Sequence, residues 1–287
     1  MALANGRAMR CLFLVAMVTG AVAACARPES QLPLNIPFEY REGLIWLNVG
    51  APGGSENLVF LLDSGAARSV FDTHTARRLG LRPTVPVKVR GVRAETDGFL
   101  TEAVAVRVGA LRFKTGFLAV DLGRLSDACH RRIDGLLGAD FFRGRILQID
   151  FAAQQLRVLP ATAASIASQV LPLRTRRGAL CVQVRVNGHE ARWARLDTGY
   201  AGALQWATGQ IDLANSRRVV YIGLADVPVA LTRATVRIGQ ESFDDVWIGL
   251  HEREIFPGEA GLLGNGLLSK FCVTIDGMNE RVILEKR

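Results

Sequence analysis

Leu62-Asp63-Ser64-Gly65 and, 134 residues later, Leu196-Asp197-Thr198-Gly199 are the two stretches on which the reading of this chain turns. An Asp-[Ser/Thr]-Gly triplet arises by chance about once in a few thousand positions at average residue usage. Here the recurrence has company. Val106-Arg107-Val108-Gly109 returns as Val236-Arg237-Ile238-Gly239 at an offset of 130. Gly135-Leu136-Leu137-Gly138 returns as Gly261-Leu262-Leu263-Gly264, and Ile149-Asp150 as Ile275-Asp276, both at 126. The order is kept while the offset falls in steps, which is the mark of two copies of one unit, the second shorter by about four residues in each of two loops.

Around these anchors each copy reads as strands. In the first copy, Leu44 to Val49, Asn57 to Leu62, Val85 to Val92, Phe99 to Val108, Lys114 to Val120, Arg145 to Ile149 and Gln155 to Leu159 are rich in Val, Leu, Ile or Phe, and several alternate apolar with polar. In the second copy the same holds for Cys181 to Val186, Glu190 to Leu196, Arg217 to Ile222, Leu231 to Ile238 and Ser242 to Ile248. One helix is predicted, capped by Asp72 or Thr73, filled by Ala76 to Leu79 and closed by Gly80, with a short turn at Asp140 to Phe142. The expected architecture is all-β and bilobal: a first lobe over 26–160, an Ala/Ser-rich linker over 161–170 and a second lobe over 171–287.

The composition bounds the function classes. With 287 residues, 49% hydrophobic and 22% charged, the chain is long enough for two packed lobes and too apolar to be disordered. The net charge of +8 comes from scattered pairs such as Arg77-Arg78 and Arg217-Arg218, without a polybasic run or interleaved aromatics. No nucleic-acid partner is expected. Cysteines at 11, 25, 129, 181 and 272 lack the paired spacing of a zinc site or a redox C-x-x-C, so no metal is expected, and at most one disulfide can form among Cys129, Cys181 and Cys272. Residues 1–25 read as an export signal: Arg7 and Arg10 precede an apolar run from Cys11 to Ala24, too short to span a bilayer. Ala21-Val22-Ala23 fits an A-x-A cleavage site. The preferred reading is Val22-Ala23-Ala24-Cys25 as a lipobox, with lipid on Cys25 and the chain anchored to a bacterial envelope membrane, facing the periplasm.

A carboxylate at the end of a buried apolar strand is costly to ionise, and one such group per copy can meet on a pseudo-twofold axis. Two carboxylates in contact cannot both ionise, so they share one proton, which equips them for general acid/base hydrolysis. Rival motifs fail. Gly264-Asn265-Gly266 has no third glycine at dinucleotide spacing, His251-Glu252 lacks a zinc protease's second histidine, and no G-x-S-x-G elbow exists. His74, His130, His189 and His251 are expected on the surface or in loops.

At these residues the chain resembles the pepsin/retropepsin-like aspartic peptidases in a bacterial, single-chain, two-lobe form, over nearly its whole length from about Leu44 to Leu284. The likeness rests on the Asp-[Ser/Thr]-Gly turn of each copy and on the apolar-apolar-Gly element some seventy residues beyond it. It implies a bilobal acid-protease fold of two related barrel-like lobes and Asp63 and Asp197 as catalytic dyad. It also implies Ser64 and Thr198 as cross-bracing hydroxyls, Gly65 and Gly199 as turn glycines, and Gly135, Leu136, Leu137, Gly138 with Gly261, Leu262, Leu263, Gly264 as psi-shaped loops. No cofactor is implied, the substrate it implies is a protein or peptide, and a monomer is expected. Ala66 conforms to the family after the turn glycine, whereas Tyr200 departs from it and supports the rival reading of a non-catalytic envelope peptide-binding protein. Covering hairpins are expected near Val89 to Gly98 and near Val220 to Pro228, the latter carrying Tyr221.

Overall fold

Two eight-stranded sheets with the same internal order account for the repeat. The computed structural model describes residues 33–54, 56–91, 94–161, 169–208, 219–222 and 225–286. Residues 1–32 with Cys25, most of the expected linker and Arg217-Arg218 lie outside the described residues. The first sheet runs in the order Glu39–Arg41, Leu44–Gly50, Asn57–Leu62, Gly135–Leu137, Val70–Asp72, Leu111–Val120, Ala94–Val108, Pro83–Gly91. Val49 and Gly50 pair with Val108 and Arg107, closing the sheet on itself. The second runs Arg174–Arg176, Ala179–Val186, Arg192–Leu196, Gly261–Leu263, Leu204–Ala207, Glu241–His251, Ala225–Ile238, Val219–Ile222, closed by Arg185 and Val186 against Arg237 and Val236.

A third sheet joins the copies. Its six strands are Leu34–Pro37, Gln155–Leu159, Ile146–Asp150, Phe271–Asp276, Arg281–Lys286 and Val170–Pro172. Its central antiparallel pair sets Leu147 against Ile275 and Ile149 against Val273, all four buried in a core that both lobes share. Those residues belong to the last matching segments of the repeat, so the sequence duplication meets itself at this pairing. The first lobe's interior is built on phenylalanines packed edge to face, Phe60 on Phe71 and Phe113 on Phe141. Each such side chain contributes roughly 1.5–3 kcal/mol by burial.

Most expected strands form close to their expected bounds, while those expected from Phe99 and Leu231 begin earlier, at Ala94 and Ala225, and the helix forms over Thr73–Arg78, with Asp72 accepting from the Thr75 N–H at 3.0 Å. The turn at Asp140 to Phe142 is one helical turn over Ala139–Phe142, repeated in the second lobe as Asn265–Leu268. Several features escape periodicity, among them Phe271–Asp276 and Arg281–Lys286, six-residue strands absent from the strand reading of the second copy. Val70–Asp72, Gly135–Leu137, Leu204–Ala207 and Gly261–Leu263 are strands of three or four residues, shorter than the window in which alternation can be read. The helix Gly123–Ala128 has no side-chain cap to announce it. The strand expected from Glu190 starts at Arg192, because Asn187 and Gly188 turn the chain with positive φ just before it.

Candidate active site

Asp63 and Asp197 sit at the same place in their lobes. Asn57–Leu62 delivers Asp63, whose N–H is held by the Leu137 carbonyl at 2.8 Å. Arg192–Leu196 delivers Asp197, held by the Leu263 carbonyl at 2.8 Å. The three-residue strands behind these turns are threaded between two neighbours: Gly135–Leu137 runs parallel to Asn57–Leu62 and antiparallel to Val70–Asp72, and Gly261–Leu263 does the same in the second lobe. A Cβ at Gly135 would strike the Val70 carbonyl, and one at Gly261 the Gln205 carbonyl. That crowding explains the glycine that opens each psi element. Gly138 and Gly264 are hemmed in likewise, by the Arg68 backbone and by Gly202 with Tyr200.

The two turns are bound to each other by four hydrogen bonds related by the repeat. The Ser64 N–H donates to Thr198 Oγ1 at 2.9 Å and the Thr198 N–H to Ser64 Oγ at 3.1 Å. Ser64 Oγ donates to the Leu196 carbonyl at 2.7 Å and Thr198 Oγ1 to the Leu62 carbonyl at 2.8 Å. Both hydroxyl residues are almost wholly buried, so the exchange fixes the separation of the aspartates. Gly65 and Gly199 then let the turns close: a Cβ on Gly65 would run into the Asp197 carboxyl, and one on Gly199 into the Asp63 carboxyl. Each carboxyl thus lies against the turn glycine of the opposite lobe, and the two carboxyls interact directly.

Electrostatics follow from this placement. Burial pushes the Asp63 carboxyl above its usual range, against the N–H groups of Ala66 and Gly65, the Asp197 carboxyl and the Arg195 charge, which favour the ionised form. Asp197 is pushed further, well above that range, because the charge of Asp63 adds to burial. Both carboxyls are raised and each acts on the other, which favours a proton held between them.

Several residues of the site were not legible as such. Arg195, in the strand that delivers Asp197, is buried; its Nε and Nη2 meet Glu259 at 2.6 and 2.8 Å, and its Nη1 donates to the Gly65 carbonyl of the opposite turn at 2.8 Å. A lone arginine between Ala194 and Leu196 was the available signal. Two glycine turns also cross between lobes. A Cβ on Gly43, at φ +77°, would strike Ala201, and one on Gly178, at φ +85°, would crowd Ala67, so each lobe's first hairpin approaches closely the turn behind the other lobe's aspartate. Asn265 donates from Nδ2 to the carbonyls of Gly43 and Thr198, both at 2.7 Å, adding a strut on the Asp197 side.

Tyr200 follows Gly199 directly, with its N–H 3.3 Å from the Asp197 carbonyl. Its ring lies against Gly202 and Gly264, and its hydroxyl accepts from Gln205 Nε2 at 2.6 Å, so the phenol is engaged in the lobe interior. Gln205 in turn meets His251 Nε2 at 2.6 Å. This corrects the expectation for His251, which ends a strand and is fully buried, whereas His74, His130 and His189 are exposed. Ala66 offers only its N–H, to Asp63 Oδ1 at 3.0 Å. Hairpins rise where coverings were expected, Pro83–Gly91 with Ala94–Val108 and Val219–Ile222 with Ala225–Ile238. The Tyr221 side chain lies outside the described residues. Cys129 and Cys181 are buried thiols, the latter pushed up to about 12 chiefly by burial.

Residues 49–141 match a family model described as aspartyl protease. No curated protein sequence gives a significant match. Among solved structures, the aspartic proteinase from Irpex lacteus is similar at a TM-score of 0.57 and 13% identity, over 89% of this chain and 97% of that one. That likeness carries the two-lobe fold, and the sequence match carries the family through the first lobe. The Asp-Ser-Gly turn and its psi element lie inside the matched residues and their counterparts recur in the second lobe, so the first lobe is similar to the aspartyl protease family and the whole chain has the two-lobe aspartic proteinase fold.

Proposed function

We propose that the protein is an endopeptidase that hydrolyses peptide bonds with a water activated between Asp63 and Asp197. The observation that carries this reading is the pair of buried carboxyls, each set against the opposite turn glycine and clamped by the reciprocal Ser64–Thr198 exchange. The ionised member takes a proton from water as its oxygen attacks the scissile carbonyl carbon, while the protonated member donates to the carbonyl oxygen. The resulting diol collapses as the leaving nitrogen takes a proton from one carboxyl while a diol hydroxyl gives its proton to the other, which breaks the C–N bond, forms the product carboxyl group and restores the shared proton. The chain's own groups suffice for every step.

The rival, a peptide-binding protein without turnover, drew its support from Tyr200, and with that hydroxyl bound to Gln205 no observation favours it. The deciding experiment incubates purified protein with a diverse peptide mixture and reads products by mass spectrometry. New internal termini that vanish in Asp63→Asn are expected; peptides retained but uncut by the wild type would establish the rival. We propose further that the mature chain is exported and begins at a lipid-bearing Cys25. Intact mass of the envelope-extracted protein should show the diacylglyceryl adduct, and an unmodified chain beginning at Ala24 would place cleavage at the A-x-A site instead.

A further inference from the structure

At a pair of positions directly behind the dyad the two lobes differ in kind. In the first lobe these are Leu61, two residues before Asp63, and Ile133, two residues before Gly135, both buried in an apolar cluster. In the second lobe the matching positions hold Arg195 and Glu259, equally buried. The register is the same in both: Leu61 stands opposite Leu136, and Arg195 opposite Leu262. A charged pair has thus taken a site that the fold fills elsewhere with two aliphatic side chains. A buried ion pair brings little net stability over such packing, so its presence at this spot calls for another account.

Its geometry is polar in a definite direction. Glu259 grips Nε and Nη2 of Arg195, the Phe256 ring lies 3.6 Å from the guanidinium carbon, and Nη1 reaches past them to the Gly65 carbonyl. The cation therefore stands between Glu259 and the dyad turn, and the dyad faces the positive end of the pair. We propose that Arg195 is a positioning residue of the aspartate pair: anchored by Glu259, it ties the Asp63 turn to the strand bearing Asp197 and holds a fixed positive charge that sets the pH interval in which the pair keeps a single proton. This rests on the peptidase reading for its role in turnover, but not for the charge itself.

The other groups facing this spot leave the field to these charges. Cys181 pairs directly with Arg195 across the sheet, and its thiol is neutral throughout the working range. The Tyr200 phenol is likewise pushed up by burial and stays neutral. Arg176, whose charge is felt at Cys181, is turned to the Gly258 carbonyl and stacks on Trp193 with Arg174. Of the charges near the dyad, Arg195 is the one that pulls both carboxyls toward ionisation.

The test uses two variants with opposite expected signs. Arg195→Leu/Glu259→Ile rebuilds the first lobe's own solution, so the fold has a precedent for it, and removes the cation with its anchor. Glu259→Gln keeps the cation and removes the counter-charge. The dyad's titration is followed by NMR on protein with ¹³Cγ-labelled aspartate and, in parallel, by the pH profile of kcat/KM. Both limbs should move to higher pH in the double variant and to lower pH in Glu259→Gln, with circular dichroism unchanged. Superposition of the double variant on the wild type, or shifts of the same sign in both variants, would overturn the proposal. The NMR titration needs no turnover, so it decides the role of Arg195 even if no peptide is cut; failure of the peptidase reading would show separately, as absent wild-type cleavage.

Discussion

Ala66 and Tyr200 occupy equivalent positions after the turn glycines and act in opposite ways on their surroundings. At Ala66 the side chain offers the dyad nothing, and only the backbone N–H supports Asp63. A hydroxyl there would add a donor to the ionised carboxylate, so Ala66→Ser should move the pH profile of kcat/KM to lower pH, the wild type working best between mildly acidic and neutral pH. An unshifted profile would remove this position from the control of titration. Tyr200 is held by Gln205, so Tyr200→Phe should cost about 1–3 kcal/mol in unfolding free energy by leaving a buried amide unpaired, while kcat/KM changes little. The aspartates were legible because a charge ending an apolar strand is rare and its repetition rarer. Arg195 and His251 were not, since their partners are 46 to 130 residues away and only the folded sheet brings them together; nor was Gln205, which joins His251 to Tyr200.

At the scale of elements, the brace between the turns is the part most exposed to a single substitution. Ser64→Ala leaves the Thr198 N–H and the Leu196 carbonyl without partners in a buried place. The expected cost is about 1–3 kcal/mol for each group, seen as a lower urea midpoint. Turnover should fall more than stability does, because the same bonds set the carboxyl separation. Thr198→Ser, which keeps the hydroxyl, should stay close to wild type. If Ser64→Ala unfolds at the wild-type midpoint, the brace has no structural role. Long strands were legible from alternation and the Asp72-capped helix from its cap. The psi strands were visible only as a recurring Gly-Leu-Leu-Gly, a motif whose meaning lies in the crowding at Gly135 and Gly261 and not in any periodicity.

Across the whole molecule, the six-stranded sheet makes the lobes one cooperative unit, since strands from both share its central pair. Ile149→Ala should lower the unfolding free energy by about 2–5 kcal/mol while calorimetry still shows one transition. Two separate transitions would mean that the lobes unfold independently. The raised carboxyls also tax stability in a defined interval. The native pair keeps its proton where the unfolded chain, with carboxylates near pKa 4, has released it. Their contribution is therefore full below the unfolded value and is lost as pH rises toward the folded values. Asp197→Asn cannot ionise, so its Tm should exceed the wild-type value at pH 7 and fall less between pH 4 and 7. The same variant provides the most direct test of the account, through kcat/KM on the best-cleaved peptide at the wild-type optimum, with the protein shown to be folded. The shared-proton dyad predicts a loss of roughly 10²–10⁴-fold. Cleavage by folded Asp197→Asn within a few-fold of the wild type would contradict it.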